Sequence, residues 1–65
     1  MSMEMWLARD ENGNLYLHDT KPTKDKKRGI WESLELWPYL IYPDSFQEVQ
    51  WSDEEPTKVK IVIDK

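Results

Sequence analysis

The sequence predicts a mainly β or small α+β domain, an antiparallel sheet of three to five short strands with at most one short helical turn. Three observations carry this. Two apolar stretches, Met5 to Arg9 and Leu15 to His18, flank a run of turn residues, Asp10-Glu11-Asn12-Gly13-Asn14. The C-terminal "TKVKIVID" is the clearest strand, with Val59, Ile61 and Ile63 on one side and Lys58, Lys60 and Val62 on the other. Pro22, Gly29, Pro38, Pro43 and Pro56 then divide the rest of the chain into short pieces.

The first hairpin allows two registers. A two-residue turn at Asn12-Gly13 pairs Asp10 with Leu15. A three-residue loop, with Gly13 left-handed, pairs Asp10 with Asn14. A slip of one residue exchanges the faces of a strand, so the choice decides the core. The second register gathers Leu7, Leu15 and Leu17 on one face and sends Trp6, Ala8, Tyr16 and His18 to the other. It also puts Asp10 where its carboxylate can bond the local backbone. This register is the expectation.

Asp19 to Gly29, "DTKPTKDKKRG", lacks any large apolar residue and reads as an exposed, mobile basic loop. A strand restarts at Ile30. The alternative there is a turn or two of helix with Ile30, Leu34 and Trp37 in one stripe. Pro38 and Pro43 bracket "YLIY", a short strand or irregular segment. Pro43, Asp44 and Ser45 supply helix-start chemistry for about one turn. "SDEEPT" is a loop by composition. In the last strand, outward lysines guard an edge against unwanted pairing.

Sixty-five residues make a single small domain, residues 1–65, and a chain of this size buries only about 60% of the surface it exposes when unfolded. With no cysteine there is no disulfide and no thiolate metal site, so packing or association must supply the stability. Four tryptophans, three tyrosines and Phe46 supply apolar area. The net charge of −4 argues against a general nucleic-acid binder. "MSMEMW" has no signal-peptide pattern, and Leu34 to Tyr42 is too short and too interrupted to span a membrane. A cytoplasmic protein is expected.

The pieces "WLARDENGNLYLH", "KPTK", Trp31 and "IYPDSFQEVQWSDEEPTKVKI" occur in that order. Together they resemble a family of small uncharacterised proteins carried by prophages and other mobile elements of Gram-positive and gut bacteria. In that family a W-x-A-R-D-x-x-G-x-L-x-L hairpin precedes K-P, a tryptophan, a P-x-V-x-W-type turn and a final strand. The resemblance covers nearly the whole chain except Ile30 to Tyr42. "YPDSFQEV" departs from the pattern by three extra residues. The resemblance implies a stable small domain and a mobile-element setting. It implies no reaction and carries over no functional residue.

The residues themselves offer four chemistries. Counted from Asp10, an EF-hand loop would have Asn12 and Asn14 as ligands. It would also have Leu15 where glycine is required and Lys21 where glutamate is required, so a hairpin is the better reading. His18 and Asp19 are adjacent, and adjacent strand residues face opposite ways, so no base–carboxylate pair is expected of them. Neither a catalytic residue nor a metal or other cofactor is assigned, and His18 is expected at the surface or partly buried. Lys21, Lys24, Lys26, Lys27 and Arg28 form a candidate nucleic-acid contact beside Trp31. Acidic residues dominate the C-terminal half, where residues 29–65 hold eight acids and three bases. Asp53, Glu54 and Glu55, with Trp6 and Tyr16, form a candidate partner surface, which could also meet the lysine segment of another copy.

Function is unknown from these residues. The leading expectation is a non-enzymatic protein-interaction module of a prophage or mobile element, binding a protein partner or itself. The alternative is a nucleic-acid-binding accessory protein using Lys21 to Arg28. No membrane association is expected.

Overall fold

The computed structural model describes residues 2–34 and 38–62. Among them the chain is all β. Strands β1 (Ser2–Arg9), β2 (Leu15–His18), β5 (Tyr39–Ile41) and β6 (Thr57–Val62) form an antiparallel sheet in the order β5-β2-β1-β6. Strands β3 (Thr23–Asp25) and β4 (Ile30–Glu32) form a separate hairpin.

The β1–β2 turn takes the three-residue form. Asp10 N–H donates to the Asn14 carbonyl at 2.8 Å, and Gly13 N–H donates to the Asp10 carbonyl at 3.0 Å. Gly13 has φ +96°, and the Asn12 side chain accepts from Asn14 N–H. Leu7 therefore lies opposite Leu17, and Arg9 opposite Leu15. The pairings of β2 with β5 and of β1 with β6 extend this face to Tyr39, Ile41, Val59 and Ile61. Leu7, Leu15 and Val49 are its buried centre, with Leu17, Ile41 and Val59 packed around them. Trp6, Ala8, Asp10, Tyr16 and His18 share the other face, as the expected register requires. There Ala8, Asp10 and His18 are buried, so both faces of β1 and β2 are covered near the hairpin end.

Several local expectations are corrected. Residues 19–29 do not form a plain loop, because Thr23–Asp25 is a strand paired with Ile30–Glu32. The turn between these two strands needs no large side chain. The Asp25 carboxylate accepts the N–H groups of Lys27 and Arg28, Gly29 N–H donates to the Asp25 carbonyl, and Gly29 takes φ +70°. No helix forms at Pro43–Ser45. The chain makes successive turns closed by Ser45 N–H on the Tyr42 carbonyl, Val49 N–H on the Phe46 carbonyl and Asp53 N–H on the Gln50 carbonyl. Phe46 sits at φ 52°, which an α-helix does not allow. The helical alternative after Ile30 is replaced by β4, and Leu34 is 90% exposed. Trp37 and Ile63 lie outside the described residues.

The two positive-φ glycines allow a direct comparison. A Cβ at Gly13 would meet nothing within 4 Å, whereas at Gly29 it would lie 2.8 Å from Glu11 Oε1. Gly13→Ala is expected to cost about 1–2 kcal/mol from backbone strain alone. Gly29→Ala should cost more, and shortening Glu11 to Gly in the same chain should recover only the steric part. Urea unfolding of the three variants measures both effects.

Candidate functional site

Arg9, the last residue of β1, and Asp10, the first after it, anchor the layers on either side of the sheet. The Arg9 side chain lies on the leucine face, and its guanidinium donates to backbone carbonyls only. These are Val49 at 2.7 Å, Gly13 at 2.8 Å, Pro43 at 2.9 Å, Ser45 at 3.0 Å and Phe46 at 3.3 Å. A planar fork of N–H donors can serve several carbonyls at once, which a lysine ammonium cannot match in shape. This explains the missing helix. Carbonyls of the 43–49 segment that would accept i+4 amides in a helix turn inward to Arg9, and Val49 is set down on Leu7 and Leu15.

Asp10 faces the opposite way. Its Oδ1 accepts Trp31 N–H at 2.9 Å, and Trp31 Nε1–H donates to the Arg9 carbonyl at 3.1 Å. Glu11 N–H donates to the Gly29 carbonyl at 2.9 Å. The β3–β4 hairpin is thus tied to the β1–β2 turn by three hydrogen bonds. Burial pushes the Asp10 carboxyl above its ordinary value, opposed in part by the Trp31 N–H and by His18. Farther along this face, His18 Nδ1 and Ser33 Oγ form a 2.7 Å hydrogen bond that links β2 to the chain after β4. His18 is buried, at 1% exposed, rather than at the surface or partly buried as expected. The pairing with Ser33 spans fifteen residues, and no sequence spacing announces it.

The candidate basic contact is largely used within the molecule. Lys24 Nζ sits 5.1 Å from the centre of the Trp31 ring and 4.5 Å from that of Trp51. It also donates to the carbonyls of Trp51 and Asp53. The two indoles meet edge to face at 6.4 Å, so the ammonium occupies a cation–π corner that fastens β3 to the 51–53 turn. Lys21 pairs with Glu55 at 3.4 Å. Arg28 binds Asp25 at 2.8 Å and Glu32 at 2.9 Å. The Arg28 guanidinium holds the Asp25 carboxyl below its usual range. Lys26 and Lys27 remain exposed at the hairpin tip.

The candidate partner surface is likewise divided. Trp6 and Tyr16 are half-buried. Asp53 is half-buried, with its carboxylate accepting Gln50 N–H, and Glu54 is exposed. Trp31 is buried and Trp51 half-buried. The described tryptophans therefore do not make an exposed aromatic patch.

Open apolar surface lies elsewhere. At the end of the leucine face away from Arg9, Met3, Met5, Leu17, Asp19, Tyr39 and Ile61 line a groove of about 270 Å³. Tyr39 is 62% and Met3 53% exposed, and Ile61 is at the margin at 36%. The 43–49 segment covers the Arg9 end of this face and leaves the Met3 end open. The alternation of β6 placed Ile61 on the apolar face in the sequence. That Met3 and Tyr39 would join it depended on strand order. Among the described residues no group of His, Cys, Asp or Glu is arranged to hold a metal, and no helix is long and apolar enough to cross a membrane.

Compared with protein-family models, curated proteins and solved structures, the chain matches none.

Two tests of the anchors follow. Arg9→Lys is expected to destabilise the fold by about 2–4 kcal/mol, because several partly buried carbonyls lose charged donors together. Urea unfolding followed by tryptophan fluorescence measures it. The raised Asp10 value means that ionisation opposes folding. Relative to Asp10→Asn, which keeps an oxygen for Trp31 N–H, the wild type should lose stability as pH rises from the ordinary value of 3.8 through the raised one. Above that the difference should level off. Unfolding midpoints of the two proteins across this window check the sign.

Proposed function

We propose that this chain is a non-enzymatic protein-interaction module and that its partner contacts the open end of the leucine face. The observation that carries this reading is the groove formed by Met3, Met5, Leu17, Tyr39 and Ile61. Three exposed or marginal apolar side chains gather there on one sheet face. A contiguous apolar surface ringed by polar residues favours association with another macromolecule. The reading moves the contact away from Trp6, Tyr16, Asp53, Glu54 and Glu55. Two of those carboxylate residues, Asp53 and Glu55, already serve contacts with Gln50, Lys24 and Lys21. The mobile-element setting implied by the resemblance belongs to the same proposal.

The nucleic-acid alternative has less support. Lys21, Lys24 and Arg28 are engaged by acidic side chains, carbonyls or indoles of the same chain, which leaves Lys26 and Lys27. Two lysines provide little of the counterion-release energy that nonspecific binding draws on.

A photocrosslinking residue placed at Tyr39 in the producing cell is expected to give a discrete protein adduct. Ile61→Lys in the same chain should abolish it, and a crosslinker at Lys27 should not give it. Absence of any adduct from position 39, or an adduct indifferent to Ile61→Lys, would defeat the proposal.

A further inference from the structure

We infer that the outer edge of β6 accepts an extended strand from a partner protein, and that this strand alternates apolar and acidic residues. The inference rests on the interaction-module reading and specifies the partner's chemistry.

β6 ends the sheet. Among the described residues, no backbone hydrogen bond joins its outer edge to another segment. It is six residues long and begins after Pro56, with no proline inside it to block a new ladder. A strand laid along this edge would continue both faces of the sheet. On one face its side chains would lie beside Val59 and Ile61, next to the groove. On the other they would lie beside Lys58 and Lys60.

The neighbour already in place illustrates which sequence suits those positions. On the inner side, β1 sets Met3 against Ile61, Glu4 against Lys60, Met5 against Val59 and Trp6 against Lys58. Glu4 stands opposite Lys60 in the register and its carboxylate reaches Lys58 at 3.3 Å. The pattern that β6 receives from its own chain is therefore apolar–acidic–apolar. An incoming strand of the same pattern would supply a second carboxylate to the lysine face and extend the apolar face over the groove rim. A second copy of β6 is the poorer occupant. Antiparallel pairing of two β6 edges in one continuous sheet would bring Lys58 and Lys60 of both copies together on the same face, and like charges across a ladder repel. The lysines that guard this edge against self-pairing are thus the groups that select an acidic partner.

The test uses the full chain, labelled for amide NMR, and two synthetic seven-residue peptides: Thr-Val-Glu-Val-Glu-Val-Thr, and its counterpart with lysine for glutamate. At about 1 mM, the glutamate peptide should shift the amides of Thr57–Val62 and of the groove residues Met3 and Met5. The effect should weaken with salt and be at least about tenfold weaker for the lysine peptide. Lys58→Gln with Lys60→Gln should remove the preference while the rest of the spectrum confirms an intact fold. No shift in β6, equal response to both peptides, or concentration-dependent β6 shifts without peptide would overturn the inference. If the Tyr39 crosslink to a partner persists alongside any of those results, the interaction module stands and only strand addition at β6 falls.

Discussion

The fold depends on one constraint: successive residues of extended chain point to opposite faces, and here those neighbours are Arg9, which ends β1, and Asp10, which opens the turn. The arginine gathers carbonyls of the 43–49 segment beneath the leucine face. The aspartate holds Trp31, and with it the β3–β4 hairpin, against the other side. One turn of the chain therefore organises the segments on both sides of the sheet. This suits a chain with neither disulfide nor helix among its described elements. Its buried apolar cluster is small, and directional bonds to a charged fork and a buried carboxylate set where the irregular segments lie. Burial of the Asp10 carboxylate disfavours its charged form and pushes its pKa up, while its bond to Trp31 N–H fixes the second hairpin.

The same economy governs the charges. The basic segment around Lys24 and the acidic segment around Asp53 look like separate binding surfaces along the chain, but the fold brings them together. Lys24 enters the corner between Trp31 and Trp51, and Lys21 meets Glu55. The polarity apparent in the sequence is thus partly cancelled within the molecule. Open apolar surface remains at the Met3 end of the sheet, beside the outer edge of β6. There an apolar face and a lysine face lie on either side of one unpaired edge.

Much of the sheet was legible. Alternation identified β2 and β6 closely, and Gly13 with its neighbouring polar residues settled the first register and the leucine face. β1 began earlier than Met5 because Ser2, Met3 and Glu4 pair with Val62, Ile61 and Lys60 of β6, at the far end of the chain. β3 was hidden because Thr23-Lys24-Asp25 contains no apolar residue. Its strand is stabilised by the Asp25-capped turn and by the Lys24 ammonium, neither of which produces an apolar pattern. The first turn of a helix was expected at Pro43–Ser45 from local capping chemistry. That preference lost to four hydrogen bonds from Arg9, a residue more than thirty positions away, to carbonyls of the segment.

The candidate site was less legible than the fold, for a related reason. Local sequence by itself determined the hairpin, the face assignment of Leu7, Leu15 and Leu17, and the lysine alternation of β6, because turn conformation and a two-residue period act over a few residues. Tertiary structure alone decided that Met3, Tyr39 and Ile61 meet, that His18 bonds Ser33, and that three of the five basic side chains are used internally. Those outcomes depend on strand order and on contacts between distant segments. Alternation says which face a residue occupies, but only the assembled sheet decides whether another segment covers that face.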